Sequence, residues 1–423
     1  MEQFRIRAVR EDEFPTVFAL SCAAFGEHDT GEDEQAHRLG FPFDRALAAF
    51  DGDKMVATSA VYSQELTLPG GVTIPMGGLT WIATLPTYRR QGLLTQLVSA
   101  QFADMKVRGE AVSGLVASEG TIYGRFGYGP ATSIMGFSVE RAYSAFSTPL
   151  EAGAPGHFEL LEAAEAAMRL PPIYDGLRLR VPGTISRPTT FWSGYLADPP
   201  SERGGGTRMF HVVHETSPGR ADGYVSYRIK EDWKGATACN TAHVVELLAE
   251  DPATYAALWR YVLDTDLTCR ISCGRGRVDE PLRWLLAESR RFTVGQLSDF
   301  LWLRLLDVPR ALAARRYSTP GRLVIEVDDP FPKPLTQSFL LSVEGSVGPY
   351  LPAAPSLPAE CTPSTAPPDL ALGVDALSAI YLGGVTFATM AAAGRVRELT
   401  PGALARADSM FSGGAAPFCA TEF

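Results

Sequence analysis

No uninterrupted apolar run in this chain is long enough to cross a bilayer as a helix, which excludes an ordinary helical membrane protein. Histidine and cysteine are both scarce, at six each in 423 residues. The cysteines, Cys22, Cys239, Cys269, Cys273, Cys361 and Cys419, are scattered. Only Cys269 and Cys273 are near each other, with no second pair and no clustered histidines to complete a zinc site, so no metal is expected. Free thiols in a reducing compartment follow. Positive charge is in deficit: 38 Lys and Arg face 48 Asp and Glu, a formal charge of −10. That argues against non-specific nucleic-acid binding, which needs many phosphate-neutralising cations, and sits better with a small cationic partner. Met1 to Arg7 lacks the apolar core of a secretion signal, and the protein is expected in the cytoplasm, without a membrane partner. What remains is ordinary globular material, 46% apolar and 20% charged with mean hydropathy near zero, and long enough for two to four domains.

The stretch that organises the chain runs from Leu79 to Leu94, LTWIATLPTYRRQGLL. It begins as an apolar, β-prone run and breaks at Pro86. Arg89, Arg90, Gln91 and Gly92 follow, and then a helical pattern puts Leu94, Leu97, Val98 and Met105 on one face. A strand that turns through an Arg/Gly loop into a helix makes an anion site, because the loop amides and first helical turn have N–H groups without internal partners. Gly92 allows close backbone approach, and the two arginines suit phosphate oxygens. A pyrophosphate is the expected ligand. The spacing fits neither the nucleoside-triphosphate loop nor the dinucleotide loop.

In chain order, Phe4, Ile6 and Ala8 alternate as a strand, and a helix with Phe14, Val17, Phe18 and Ser21 on one face follows. Glu27 to Glu34 is an acidic loop, either a solvated surface or a mouth that attracts polyamines. Lys54 to Leu68 is a strand, Pro69-Gly70-Gly71 a turn and Val72 to Met76 the return. After the organising stretch come a strand at Val112 to Ser118 and a bent, glycine-rich segment from Ser118 to Gly129 that carries Tyr123 and Tyr128. Past residue 150 the order strand, loop, helix recurs, with a strand from His243 and a helix over Asp251 to Leu263. Ala249-Glu250-Asp251-Pro252 stands where the Arg/Gly loop stood. Two carboxylates there would repel a pyrophosphate, and Asp251 before Pro252 reads as a helix cap. Ser201 to Gly206 reads as a flexible loop. A third unit opens at Asp307, with strands at Leu323 to Val327 and Phe339 to Val343 and a Pro-rich loop over Tyr350 to Pro368. Helices follow at Asp375 to Leu382 and Thr386 to Val396. The mostly apolar end, Ala415 to Phe423, is suited to lie in a groove rather than to stay disordered.

Arg89-x-x-Gly92-x-Leu94 resembles the acetyl-CoA loop of the GCN5-related N-acetyltransferases, Gln/Arg-x-x-Gly-x-Gly/Ala, with Leu94 departing from the last position. YRRQGLL at 88–94, ASEGTIYGRFGYGPAT at 117–132, the segment Asp375 to Gly383 and the final Glu422-Phe423 together resemble the enhanced intracellular survival (Eis) family of these enzymes. The resemblance implies an α+β fold: two tandem GCN5-related acetyltransferase domains, the second degenerate, then a sterol-carrier-protein-like α/β domain. The expected spans are 1–148 for the catalytic domain, 149–303 for the degenerate copy and 304–423 for the last domain, whose C-terminus would return to the active site. It also implies a homohexamer that transfers acetyl groups from acetyl-CoA to amines of aminoglycosides and other polyamines, several on one substrate. A protein-lysine acetyltransferase, or a lipid or sterol carrier with a relic acetyltransferase domain, are the alternatives.

Direct attack of an amine on a thioester needs a neutral amine, a place for the oxyanion and a proton for the leaving thiolate. Backbone amides around Trp81 and Ile82 would hold the oxyanion if the strand bulges there. The family's catalytic tyrosine falls on Tyr123, the candidate acid. The strand residues Thr80-Trp81-Ile82-Ala83 contain no carboxylate to serve as base. The resemblance implies the terminal carboxylate of Phe423 acting through water, with Glu119 as the rival. Cofactor contacts are expected from Trp81, Ile82, Ala83, Arg89, Arg90, Gln91, Gly92, Leu93, Leu94 and Ser118, and substrate contacts from Phe25, Trp81 and Glu422.

Overall fold

The computed structural model describes residues 4–28, 30–148, 156–217, 219–345, 356–412 and 414–423. The chain forms two compact units: residues 1–132, 179–186 and 299–423 make one, and 133–178 with 187–298 make the other.

The first unit is built on a seven-stranded sheet. Its chain-order strands are β1 (Arg5–Ala8), β2 (Leu47–Asp51), β3 (Lys54–Thr67), β4 (Thr73–Thr84) and β5 (Val112–Val116), which lie side by side in that order. The turn at Pro69 to Gly71 joins β3 to β4, and the return stretch and the organising strand of the sequence are one continuous element. Helix α1 (Phe14–Phe25) buries Phe14, Val17 and Phe18. Helix α3 (Leu93–Val107) buries Leu93, Leu97, Val98, Phe102 and Met105, and Val98, Phe102 and Met105 meet Val61 of β3 and Leu79 of β4.

Only the first part of the acidic stretch, Glu27, His28 and Thr30, lacks regular structure as its charge suggested; the rest is helical. Gly31–Gly40 is helix α2, and Thr30 caps it by accepting the Asp33 N–H at 3.2 Å. Glu32, Asp33 and Glu34 fall in the first turn, where carboxylates oppose the helix dipole favourably. Asp29 lies outside the described residues.

Arg45 pins the end of α3 to β3. Its guanidinium donates to both oxygens of Glu110 at 2.7 and 2.8 Å, to Asp104 at 2.9 and 3.1 Å, and to Ser63 at 2.8 Å. The Arg45 and Glu110 side chains are only 1% and 6% exposed. Arg45→Met should therefore destabilise the protein by about 3 kcal/mol or more, since it strands a buried carboxylate. A urea midpoint equal to wild type would refute this.

Beyond β5 the sheet is completed by Leu301–Leu305, from nearly two hundred residues later, and that strand in turn pairs with Gly129–Pro130. The glycine-rich segment thus serves packing as well as bending. A Cβ on Gly127, whose φ is +83°, would stand 2.7 Å from Arg304 Nε and 2.8 Å from Val374. On Gly129 a Cβ would lie 2.0 Å from the Asp375 carbonyl oxygen. Only glycine lets the helix Val374–Ile380 sit against this strand. That helix belongs to the last part of the chain, whose five-stranded sheet runs Ala359–Pro363, Leu335–Val343, Gly321–Asp329, Leu370–Gly373, Val396–Glu398. The strand Ala359–Pro363 lies inside the stretch expected to be a Pro-rich loop; it pairs with Leu335–Val343 through residues with unremarkable strand propensity. Residues 350–355 of that stretch are outside the described set. The final helices are Val374–Ile380, Phe387–Ala392 and Ala403–Phe411.

The second unit repeats the sheet. Its strand order is Thr293–Asp299, Ser133–Glu140, Thr268–Gly276, Asn240–Ala249, Arg220–Lys230, Phe210–Ser217, His157–Leu161. As in the first sheet, a parallel pair sits at its centre, Asn240–Ala249 against Thr268–Gly276, with the helix Pro252–Leu263 between them in sequence. Asp251 caps that helix, accepting the N–H groups of Ala253 and Thr254 at 2.8 and 2.9 Å. The first-turn amides that would meet a phosphate are taken by the protein's own carboxylate. Ser201 to Arg203 is wound into a short 3-10 turn, Pro200–Arg203, rather than a loop. Ser133–Glu140 lies within the span 1–148 yet pairs in the second sheet, and Leu301–Leu305 straddles residue 303 in the first. The sheets interleave along the sequence, a pairing that local patterning does not encode.

Candidate active site

The site is made by a break in the first sheet. Strands β4 and β5 run parallel but pair only at Met76, Gly77 and Gly78, opposite Val112, Ser113 and Gly114. Beyond Gly78 the two strands part, and the sheet forks. On the other edge of β4 the register with β3 slips, Thr58 facing Ala83 and Ala60 facing Thr80, so that Trp81 and Ile82 stand opposite the single residue Ser59. Trp81 has φ +51°, in the left-handed region that a tryptophan rarely occupies. This is the bulge expected of the strand. The Thr58 hydroxyl donates to the Trp81 carbonyl at 3.0 Å, turning that oxygen toward β3. In a planar trans peptide the N–H points the opposite way, so the Ile82 amide is directed into the fork.

Below the fork, β4 leads through Pro86–Tyr88 into the Arg/Gly loop. Arg90 has φ +64° and Gly92 φ +80°, with Arg89 extended before them. Alternating hand in successive residues turns successive N–H groups to one concave side, the geometry of an anion nest. Leu93, Leu94 and Thr95 open α3 with amides that have no intrahelical partner. Arg89, Arg90, Gln91 and Gly92 are exposed, and a Cβ on Gly92 would meet nothing within 4 Å. The Arg89 guanidinium donates to the Ala24 carbonyl at 2.7 Å, at the end of α1. Backbone nest, helix N-terminus and two guanidinium groups fit a diphosphate, and the fork would take the arm attached to it.

Tyr123 ends the short helix α4 (Gly120–Tyr123) and is buried, in one apolar cluster with Leu79, Leu115 and, at its edge, Ile82 and Leu94. Its ring stands edge-on to Tyr128 at 6.1 Å. Tyr128 shares a 2.6 Å hydrogen bond with Ser113, which donates to the Gly77 carbonyl at 3.1 Å. Tyr123 is thereby held against the point where the strands separate. Burial, opposed by the Ser118 hydroxyl and aided by the nearby Glu119 charge, raises the Tyr123 phenol above its ordinary value. It stays protonated at neutral pH, as a proton donor must. Ser118 and Glu119 are exposed at the start of α4.

The other face of β4 meets the chain's end. The Phe418 N–H donates to the Pro182 carbonyl at 2.8 Å, Cys419 and Thr421 are buried, and the Phe423 ring lies edge-on to Tyr62 at 6.4 Å. Tyr62 donates to the Gly40 carbonyl at 2.8 Å, and burial pushes its phenol up to about 12. Glu422 is exposed beside it. Phe25, 52% exposed, closes α1 one residue beyond Ala24, which Arg89 holds.

Of the residues expected around the cosubstrate, Ile82 and Leu94 share the apolar cluster of Tyr123, whereas Trp81 and Ala83 pack into the separate cluster around Phe14, and Arg89 to Leu93 form the loop and the start of α3. The Trp81 indole is turned into a cluster with Phe14 at 5.9 Å, Phe41 at 5.1 Å and His37 at 5.8 Å, so it is more wall than open surface. Sequence reasoning did not single out Tyr62, Gln64 or Gly78, which lie around the Phe423 ring on β3 and β4; β3 also carries Thr58, Ser59, Ser63, Glu65 and Thr67, so a polar Gln64 does not stand out in it. Among the described residues the one group spaced for a metal is His157, Glu159 and Glu215, and Arg169 is already salt-bridged to both carboxylates.

Residues 5–131 match the acetyltransferase (GNAT) domain family, 183–305 match a second acetyltransferase (GNAT) domain family, and 308–420 match the sterol carrier protein domain. The N-acetyltransferase Eis of Mycobacterium tuberculosis is 33% identical, over 98% of each chain. The chain belongs to the Eis family of N-acetyltransferases. An uncharacterised N-acetyltransferase of Streptomyces avermitilis is 35% identical over 98% of each chain. The crystal structure of Eis1 from Mycobacterium abscessus superposes with a TM-score of 0.83 at 33% identity, covering 99% of this chain and 100% of that one. Like other Eis-family members this protein is an acetyltransferase, with two GNAT domains and a sterol-carrier-type domain. No helix among its described residues is long and apolar enough to cross a membrane.

Proposed function

We propose that this chain transfers the acetyl group of acetyl-CoA to amines of aminoglycosides and other polyamines, several on one substrate, as a cytoplasmic homohexamer. The observation that carries the reading is the fork beside Tyr123, with the Ile82 amide directed into it. The diphosphate of the cosubstrate lies in the nest of Arg89, Arg90, Gln91 and Gly92 and on the amides of Leu93 and Leu94. Its pantetheine arm runs along Trp81, Ile82, Ala83 and Ser118, in place of the missing ladder. The Ile82 N–H then donates to the thioester oxygen as that oxygen gains charge. The amine nitrogen forms a bond to the carbonyl carbon and the carbon–sulfur bond breaks. The Tyr123 hydroxyl gives its proton to the departing thiolate. The proton lost by the amine passes through water to the terminal carboxylate of Phe423, with Glu119 as the other candidate base. Phe25, Trp81 and Glu422 contact the acceptor, and the exposed Glu422 draws its positive charge.

Thiol release from acetyl-CoA, followed with aminoglycosides, simple polyamines and lysine peptides in parallel, tests this. Turnover is expected with aminoglycosides and polyamines. Turnover with peptides alone would replace the reading with protein-lysine acetylation, and none with any amine would leave a carrier.

A further inference from the structure

Gln64 lies in β3, on the face of the sheet that meets the C-terminus, and is 4% exposed. Neither its Oε1 nor its Nε2 has a hydrogen-bond partner among the described residues. A buried amide with both ends unsatisfied is unfavourable, and native proteins seldom retain one without a use. Its position suggests that use. A Cβ on Gly78 would stand 2.3 Å from Gln64 Oε1 and 2.9 Å from Phe423 Cε2, so amide and terminal ring share one spot on β4. Gly78 is also the last residue paired with β5 before the strands part. The unpartnered amide thus lies over Gly78, beside the terminal ring and next to the point where the strands part, and a glycine at 78 leaves room for it.

We propose that Gln64 is a specificity residue that reads a hydroxyl group beside the reacting amine, so that amino alcohols such as amino sugars are preferred over plain alkyl polyamines. A hydroxyl both donates and accepts, and so satisfies the carbonyl and the NH2 of one amide together. An ammonium group only donates and would leave the NH2 unpaired. The match does not depend on which way the amide is turned, since a hydroxyl suits either orientation. The inference rests on the reading of this chain as an amine acetyltransferase, but its test does not require turnover.

Gln64→Met keeps the length and shape of the side chain and removes both polar ends. Tobramycin and spermidine are titrated calorimetrically into wild type and variant, each with coenzyme A present. The tobramycin Kd should rise about tenfold in the variant, the loss of one or two hydrogen bonds, while the spermidine Kd and the coenzyme A Kd stay put. The melting temperature should be equal or higher, because an orphaned polar group has gone. Equal shifts for both amines, no shift for either, or a wild type that binds neither would overturn the proposal. So would a fall in melting temperature, which would mean that the amide is satisfied inside the protein. A wild type that binds both amines yet acetylates neither would sink the proposed function and leave the comparison of affinities readable.

Discussion

Tyr123→Phe should lower kcat by about 100-fold or more, the usual contribution of a positioned general acid, while the coenzyme A dissociation constant is unchanged. The ring would stay where it is, because its edge-on contact with Tyr128 and its apolar neighbours do not involve the hydroxyl. What is lost is the proton for the thiolate, together with the phenol's hydrogen bond to Ser118. The pH profile adds a second readout. Burial raises the phenol's pKa, so the protonated form persists to higher pH than for a free tyrosine, and the alkaline fall in kcat should begin above the ordinary tyrosine range of about 10. In the phenylalanine variant that limb should vanish. An unchanged rate would take Tyr123 out of the acid role.

Extending the chain past Phe423 should be as damaging. A single added residue converts the terminal carboxylate into an amide that cannot take a proton, and a fall in kcat of about 100-fold is expected if that carboxylate is the base. Phe423→Ala separates charge from packing: the carboxylate survives and only the ring against Tyr62 and Gly78 is removed. It should therefore retain more activity than the extended protein. Stability should hardly change in either, since the tail is fixed upstream by Phe418 on Pro182 and by buried Cys419 and Thr421. Full activity in the extended protein would hand the base to Glu119.

Short-range signals were readable and long-range ones were not. The Pro86 break, the Arg/Gly corner and the face of α3 are set by neighbours in sequence, and each appears where the pattern put it. Asp251 could be read as a cap because a cap needs only its own helix. The carboxylates of α2 misled, since a charge run looks the same in a loop and in a well-capped first turn. The glycines at 127 and 129 read as a bent, close-packed segment beside the site, but the sequence does not show what they pack on: Arg304, Val374 and Asp375, far off in the chain. Gln64 was missed for the same reason: its oddity is the lack of a partner, which only a folded chain reveals.

The seam between β5 and Leu301–Leu305 has a consequence for biosynthesis. While the ribosome is still making the middle of the chain, β5 has no neighbour on that side, and its unpaired backbone offers a template to any other nascent strand. An amino-terminal fragment cut near residue 150 should therefore aggregate instead of working as a small enzyme. The acetyltransferase chemistry can begin only after most of the polypeptide has emerged.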